Sequence, residues 1–138
     1  MMNTKMYLYK RIVDAKLFID DHFAEDLDLE QISNQAHFSK FHFIRLFKKA
    51  FGLSPCQYLI SVRLQQAKQL FLKDKSVAEV CSLVGFQSMP SFCTLFKRRF
   101  GLTPTQFIFR QQVRDDKIRN QPFAFVPNCF AENYGWRK

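Results

Sequence analysis

Hydrophobic residues recur three and four positions apart through most of the chain, which is the spacing of an amphipathic helix. This spacing predicts a leading helix over residues 8–22 and one long helix over residues 54–73. Strand signals are weak before the final segment. Beyond Arg110 the helical periodicity fails, and two prolines and a glycine interrupt the chain. The pattern therefore predicts an all-α fold through about residue 110.

The chain contains an internal repeat. The segment KKAFGLSPCQYL at 48–59 returns as KRRFGLTPTQFI at 97–108, 49 positions later. Upstream of these segments the offset falls to 48, so the turn of the second copy holds one extra residue. In both copies a Ser-Pro or Thr-Pro pair follows the glycine and suits the start of a further helix. Each copy is too short to bury its own core well, so we expect two joined units.

Capping signals divide each copy into two helices with a short turn between them. Asp28 and Ser76 each precede a Gln or Glu three residues later, which is the form of a capping box. Ser39 and Ser88 follow the turns and are expected to cap a second helix, which ends at a glycine suited to the left-handed position. The predicted units are a first helix-turn-helix, a linker helix and a second helix-turn-helix, over 28–52, 54–73 and 76–101.

The second helix of each unit has a phenylalanine-rich face. Its phenylalanines recur every four residues in both copies: Phe43, Phe47 and Phe51, then Phe92, Phe96 and Phe100. This strict spacing favours core packing over a role as base-stacking platforms. Phe41 and Arg45 lie on the opposite face. The alternatives to a binding role are packing against a neighbouring helix for Phe41 and an ordinary surface position for Arg45.

The net charge of +9 in 138 residues points towards a polyanion: DNA, RNA or an anionic membrane surface. Residues 1–30 carry four bases and seven acids, a net charge of −3, whereas the rest carries seventeen bases and five acids, a net charge of +12. The stretches 31–73 and 80–114 contain no acid at all. Because solvated helices usually mix both signs, we interpret this as a face reserved for an anion.

Several other classes of protein are disfavoured by the composition. The four cysteines are scattered without a C-x-x-C pair, so neither a disulfide framework nor a metal site is expected. With four glycines there is no glycine-rich phosphate loop, and no cofactor is expected. No cysteine has a nearby His and acid to activate it, so we expect no catalytic residue and no enzyme. Without a signal peptide or membrane span, a cytoplasmic, nucleoid-associated protein is expected.

A helix, a turn and a second helix with a basic exposed face is the plan of a DNA-binding helix-turn-helix. The residues expected to approach base edges in the major groove are Lys40, Phe41, His42, Arg45, Gln87, Ser88, Ser91 and Thr94. Those expected to hold phosphates are Ser39, Lys48, Lys49, Lys97 and Arg98. A linker helix of about 30 Å nearly matches the roughly 34 Å between successive major grooves on one DNA face. A single chain can therefore place both reading helices in consecutive grooves of an asymmetric site.

These residues resemble the DNA-binding domain of the AraC/XylS family of bacterial transcription regulators. The resemblance rests on ISNQAHFSKFHFIRLFKKAFGLSPCQYLISVRLQQAKQLF and SVAEVCSLVGFQSMPSFCTLFKRRFGLTPTQFIFRQ and covers residues 6–110, leaving 111–138 as an extension of unknown role. The length resembles the stand-alone, MarA-like members. The resemblance implies about seven helices in a homeodomain-like arrangement. It also implies monomeric binding to an asymmetric DNA site and activation of transcription through RNA polymerase.

Carried over by position, Phe41 and Arg45 fall where the first reading helix of the family meets bases, with His42 beside them. In the second reading helix, many members have an arginine where this chain has Thr94 and a polar residue where it has Pro90. A strong arginine–guanine contact is thereby lost, so we expect the first repeat to carry most of the sequence specificity.

Two questions stay open at this stage. The alternative function is a protein that contacts RNA polymerase and binds DNA mainly without sequence preference. The aromatic tail over 111–138 can pack back on the domain, dock a partner or second chain, or form the lip of a small ligand site.

Overall fold

Helices follow one another through residues 4–120, which are the residues described by the structure, a computed structural model. They are α1 (Thr4–His22), α2 (Leu29–Gln35), α3 (Lys40–Phe51), α4 (Pro55–Phe71), α5 (Val77–Leu83), α6 (Met89–Phe100) and α7 (Pro104–Asn120). No strand occurs within this part of the chain. The all-α class and the two helix-turn-helix units joined by a long helix are confirmed.

The predicted N-caps are present at both units, but only Asp28 forms a complete capping box. Ser76 accepts from the backbone N–H of Glu79 at 3.2 Å without the reciprocal bond. Asp28 accepts from the backbone N–H of Gln31 at 2.7 Å, and the Gln31 side chain accepts from the backbone N–H of Asp28 at 3.0 Å. Ser39 and Ser88 each accept from the N–H three residues further on, at 3.4 Å. The glycines after α3 and α6 are left-handed, with φ of 78° and 79°. Both copies therefore begin and end their second helix in the same way.

Each unit has its own hydrophobic core, contrary to the expectation that a copy is too short to bury one well, because α1, α4 and α7 add buried residues from outside the two copies. The predicted core role of the phenylalanines is confirmed. Phe43 and Phe47 are fully buried in the first core, as are Phe92 and Phe96 in the second. The linker helix α4 contributes to both cores. Its buried Leu59 belongs to the first core, and the side chains it buries in the second are Leu64, Ala67 and Phe71.

Three helices differ from their predicted bounds. The leading helix α1 begins at Thr4, four residues before the predicted start. The linker helix is 17 residues long, about 26 Å, because a turn with Asp74 at a positive φ of 59° follows it. In contrast, α7 continues ten residues past Arg110 and ends at Asn120. Residues 112–120 are exposed on all sides, so this part of the helix has no apolar stripe for the sequence to show. The predicted extension is thus helical over 111–120, and its aromatic part lies outside the described residues.

Candidate nucleic-acid interface

The outer face of α3 combines a large apolar side chain with bases. Phe41 is 77% exposed, the highest value among the large hydrophobic side chains of the described range. Lys40 and Arg45 are exposed beside it. The buried Phe43 and Phe47 turn this face outward, because residues two positions away on a helix point to nearly opposite sides. The alternative that Phe41 packs against a neighbouring helix is therefore wrong.

His42 lies at the margin of this face. It is half-buried, and its ring meets the edge of Phe38 at a centroid distance of 5.3 Å. The Phe38 ring in turn stacks with Phe43 at 6.4 Å. His42 is therefore held by the turn of the first unit and presents only its outer side to a ligand.

The corresponding face of α6 carries smaller side chains. Gln87, Ser88, Ser91 and Thr94 are all exposed. Pro90 is the second residue of α6, where the missing N–H leaves no helical hydrogen bond unmade, so the helix is intact. Pro90, Ser91 and Thr94 line a shallow depression with Leu95. This face of α6 presents hydroxyl groups on small side chains, whereas the corresponding face of α3 presents a phenyl ring and a guanidinium group.

The last turns of both reading helices are basic and exposed. Lys48 and Lys49 end α3, and Lys97 and Arg98 are near the end of α6. None of these four takes part in the ion pairs formed within residues 4–120. Bases at a helix C-terminus also interact favourably with the helix dipole. The Ser39 hydroxyl, expected at a phosphate, is already the cap of α3.

Two bases of the acid-free stretches have partners within the fold. The Arg63 guanidinium donates from Nε to the carbonyl of Phe23 at 2.7 Å and from Nη2 to that of Glu25 at 2.9 Å. Burial lowers the pKa of Arg63, while the nearby Asp26 carboxylate raises it. Lys68 lies over the ring of Phe100, with Nζ 4.9 Å from the centroid. Since the Arg63 guanidinium is occupied by backbone carbonyls, the interpretation of both stretches as one anion-binding face is wrong for this residue.

The sequence contains a signal that Arg63 has a partner inside the fold. Arg63 interrupts a stripe of buried residues at four-residue spacing along α4, formed by Leu59, Ala67 and Phe71. A charged residue within such a stripe is expected to have a buried partner.

Arg11 performs a similar role at the turn of the first unit. Its Nε donates to the carbonyl of Ala36 at 2.8 Å, and its Nη2 donates to that of His37. The guanidinium carbon lies 3.9 Å from the centroid of the Phe38 ring. This turn places His37 at a positive φ of 58°, so the hydrogen bonds and the ring contact help to hold an unfavourable backbone conformation.

Within residues 4–120, no group of histidine, cysteine or acidic side chains is arranged to hold a metal ion. Searched over the same residues, no helix is both long and apolar enough to cross a membrane.

The fold and the exposed faces of α3 and α6 define a tandem helix-turn-helix DNA-binding domain. A family model described as a helix-turn-helix domain matches residues 32–112, more than half of the chain. The chain therefore belongs to this family, and its structural neighbours are AraC-type DNA-binding domains. Residues 32–112 thus form a helix-turn-helix domain of the AraC type.

Individual relatives agree with this assignment. The chain is 36% identical over 78 residues to the bifunctional transcriptional activator/DNA repair enzyme AdaA of Bacillus subtilis and 34% identical over 76 residues to the probable transcriptional regulator LumQ of Photobacterium leiognathi. These matches cover 56% and 54% of this chain but only 37% and 31% of the relatives. The chain thus spans about a third of the length of these two proteins.

Among solved structures, the C-terminal domain of AraT, a response regulator from Geobacillus stearothermophilus, superposes with a TM-score of 0.69 at 27% identity. This match covers 72% of the present chain and 84% of that one. The DNA-binding domain of the global transcriptional factor AdpA, in complex with a target DNA, superposes with a TM-score of 0.67 at 28% identity, covering 80% and 96%.

Proposed function

We propose that this chain inserts α3 and α6 into consecutive major grooves of an asymmetric DNA site and activates transcription there. The observation that carries this proposal is the outer face of α3, where Phe41 is 77% exposed between Lys40 and Arg45. An exposed phenyl ring has little structural use, but it can contact a thymine methyl group. A guanidinium group one turn away can donate two hydrogen bonds to guanine. The similar AdpA domain is known in complex with a target DNA, which supports double-stranded DNA as the ligand.

The proposed contacts differ between the first and the last turns of each reading helix. The base-facing residues lie in or just before the first two turns of α3 and α6, where a reading helix meets base edges: Lys40, Phe41, His42, Arg45, Gln87, Ser88, Ser91 and Thr94. The basic residues of the last turns, Lys48, Lys49, Lys97 and Arg98, hold phosphates. The phosphate contact of Ser39 uses its backbone N–H, since the hydroxyl caps the helix.

One chain is sufficient for two grooves. The two units pack on different parts of α4, which is about 26 Å long, and the grooves are about 34 Å apart. Two-groove binding therefore requires the reading helices to lie about 8 Å further apart than the ends of the linker helix. Binding is then monomeric, the site is not palindromic, and the chain is associated with the nucleoid.

The two reading helices contribute unequally to specificity. On α6, Thr94 and the small residues around it can make only weak polar contacts with bases. This helix therefore binds DNA mainly through contacts with phosphates. We expect Arg45→Ala to reduce discrimination between bases more than Thr94→Ala does, measured by binding across a library of sites randomised at each position. A larger loss for Thr94→Ala would overturn the assignment.

Selection of bound duplexes from a random pool tests sequence-specific binding. The selected site is then competed against random DNA at near-physiological salt, where nonspecific binding is weak. We expect a preference well above tenfold, because specific regulators typically exceed their nonspecific binding by about 10³ or more. A preference below about tenfold would instead favour a protein that acts mainly through RNA polymerase.

Contact with RNA polymerase is best tested at α1, because its outer face exposes several apolar side chains. Met6, Val13 and Leu17 share this face and are 65%, 41% and 50% exposed. Val13→Asp is expected to abolish activation in a purified transcription assay while leaving DNA affinity unchanged. Full activation by this variant would exclude the outer face of α1 as the polymerase contact.

A further inference from the structure

We propose that residues 23–25, held by Arg63 and Gly85, fix the angle and separation of the two helix-turn-helix units and so select the spacing of bases that the chain accepts. This inference rests on the proposed binding to two grooves. The residues concerned form the loop after α1, a helix whose buried residues belong to the first core, and they contact the turn of the second unit.

The first contact is made by Arg63 from the middle of the linker helix. Its two hydrogen bonds end on the carbonyls of Phe23 and Glu25, at 2.7 and 2.9 Å. The same guanidinium carbon lies 5.7 Å from the centroid of the Phe86 ring, in the turn between α5 and α6. Phe86 in turn contacts Phe92 of α6 at a centroid distance of 5.2 Å. The loop is therefore connected through Arg63 to the core face of the second reading helix.

The second contact is made by the backbone at Gly85. Gly85 has a φ of +94°, and a Cβ atom there would lie 2.9 Å from the carbonyl oxygen of Ala24 and 3.0 Å from that of Phe23. The matching position of the first unit is His37, whose side chain is exposed. A side chain is thus accommodated in the first turn, whereas the second turn needs glycine because the loop packs directly against it.

The third contact is the side chain of Phe23, which packs against both hydrophobic cores. Three kinds of contact, namely hydrogen bonds, backbone packing and apolar burial, thus join the same short loop to the second unit. A linker helix alone permits bending and rotation of its ends. A loop attached at three points restricts both.

This restriction has a consequence for DNA. One inserted base pair moves the second half of a site by about 3.4 Å and rotates it by about 35°. A chain with fixed units cannot follow this change without losing the contacts of one reading helix. We therefore expect the wild-type chain to bind its selected site about tenfold or more tightly than the same site with one base pair inserted between its halves.

The test compares this spacing preference in wild type, Arg63→Met and Arg63→Lys. The methionine keeps much of the packing and removes both hydrogen bonds, while the lysine keeps the charge but not the forked donor. We expect the preference to fall below about threefold in Arg63→Met and to an intermediate value in Arg63→Lys. Lys73→Met, an exposed base just after α4, is the control for loss of charge and should keep the wild-type preference.

Residual dipolar couplings of the free proteins give a readout independent of DNA. In wild type we expect the couplings to fit one fixed orientation of α5 and α6 relative to α2 and α3. In Arg63→Met we expect them to be averaged over several orientations. A folded Arg63→Met with wild-type spacing preference and orientation overturns this inference alone. A wild-type chain that is indifferent to the insertion and still protects two windows of DNA also overturns this inference alone, whereas protection of a single window overturns two-groove binding as well. Loss of cooperative melting in both Arg63 variants would show that Arg63 stabilises the fold instead of positioning the units.

Discussion

Phe43 and Phe41 lie two residues apart on α3 and are expected to respond in opposite ways to truncation. Phe43 is fully buried, and its ring contacts those of Phe38 and Phe47 at centroid distances of 6.4 and 5.6 Å. Phe43→Ala removes these contacts and leaves a cavity, which costs about 3–5 kcal/mol. Since a domain of this size is stable by only about 5–15 kcal/mol, its melting temperature should fall by roughly 10–20 °C.

Phe41→Ala is expected to leave the fold nearly unchanged. With 77% of Phe41 exposed, only about a quarter of a surface of roughly 200 Å² is covered, which at about 25 cal/mol per Å² amounts to about 1 kcal/mol at most. Removal of a proposed contact to a base should instead weaken binding to the selected site by about tenfold.

Thermal melting followed by circular dichroism and titration of a fluorescent duplex measure the two effects separately. Phe109→Ala is the matched control, because Phe109 is 66% exposed on α7, outside the proposed interface, and should change neither stability nor affinity. A Phe41→Ala variant that melts as early as Phe43→Ala would refute the assignment of faces on α3. Unchanged affinity of Phe41→Ala would refute its proposed contact with a base.

Further outcomes are expected elsewhere in the chain. Gly101→Ala forces a side chain into a left-handed conformation with φ of 79° and should cost about 1–2 kcal/mol in urea unfolding; an unchanged midpoint would contradict this. Lys48→Gln should reduce the slope of log affinity against log salt by about 1, and an unchanged slope would exclude a phosphate contact. Burial and the hydrogen bond to Asp20 raise the pKa of Tyr58 above its usual value of about 10, so the fold favours the protonated phenol. The resulting stabilisation is complete below about pH 10 and is lost as pH rises through the raised pKa; Tyr58→Phe should therefore show a shallower alkaline loss of stability, and an equally steep one would contradict this.

Local signals in the sequence predicted the architecture well. The caps at Asp28, Ser39 and Ser88 were predictable because a capping hydrogen bond joins residues only three positions apart. The buried phenylalanines were predictable because their four-residue spacing places them on one helix face. The exposure of Phe41 follows from the same periodicity.

Contacts between distant residues were not predictable in this way. Arg63 bonds to carbonyls 38 and 40 positions away, and Arg11 bonds to carbonyls 25 and 26 positions away. Charge counting assigned Arg63 to an anion-binding surface. Its place in the buried stripe of α4 indicates a buried partner, but residue types do not show which backbone carbonyls accept its hydrogen bonds. The continuation of α7 past Arg110 was missed for another reason, since an exposed polar helix has no hydrophobic period.

A hydroxyl-radical footprint of the purified chain on its selected site tests two-groove binding most directly. We expect one chain per duplex and two protected windows about one helical turn, or 10–10.5 base pairs, apart on the same DNA face. The window with the stronger base preferences should be the one lost in Arg45→Ala. A single protected window, or a second window that appears only when a second chain binds, would contradict the proposal that α3 and α6 of one molecule read consecutive grooves.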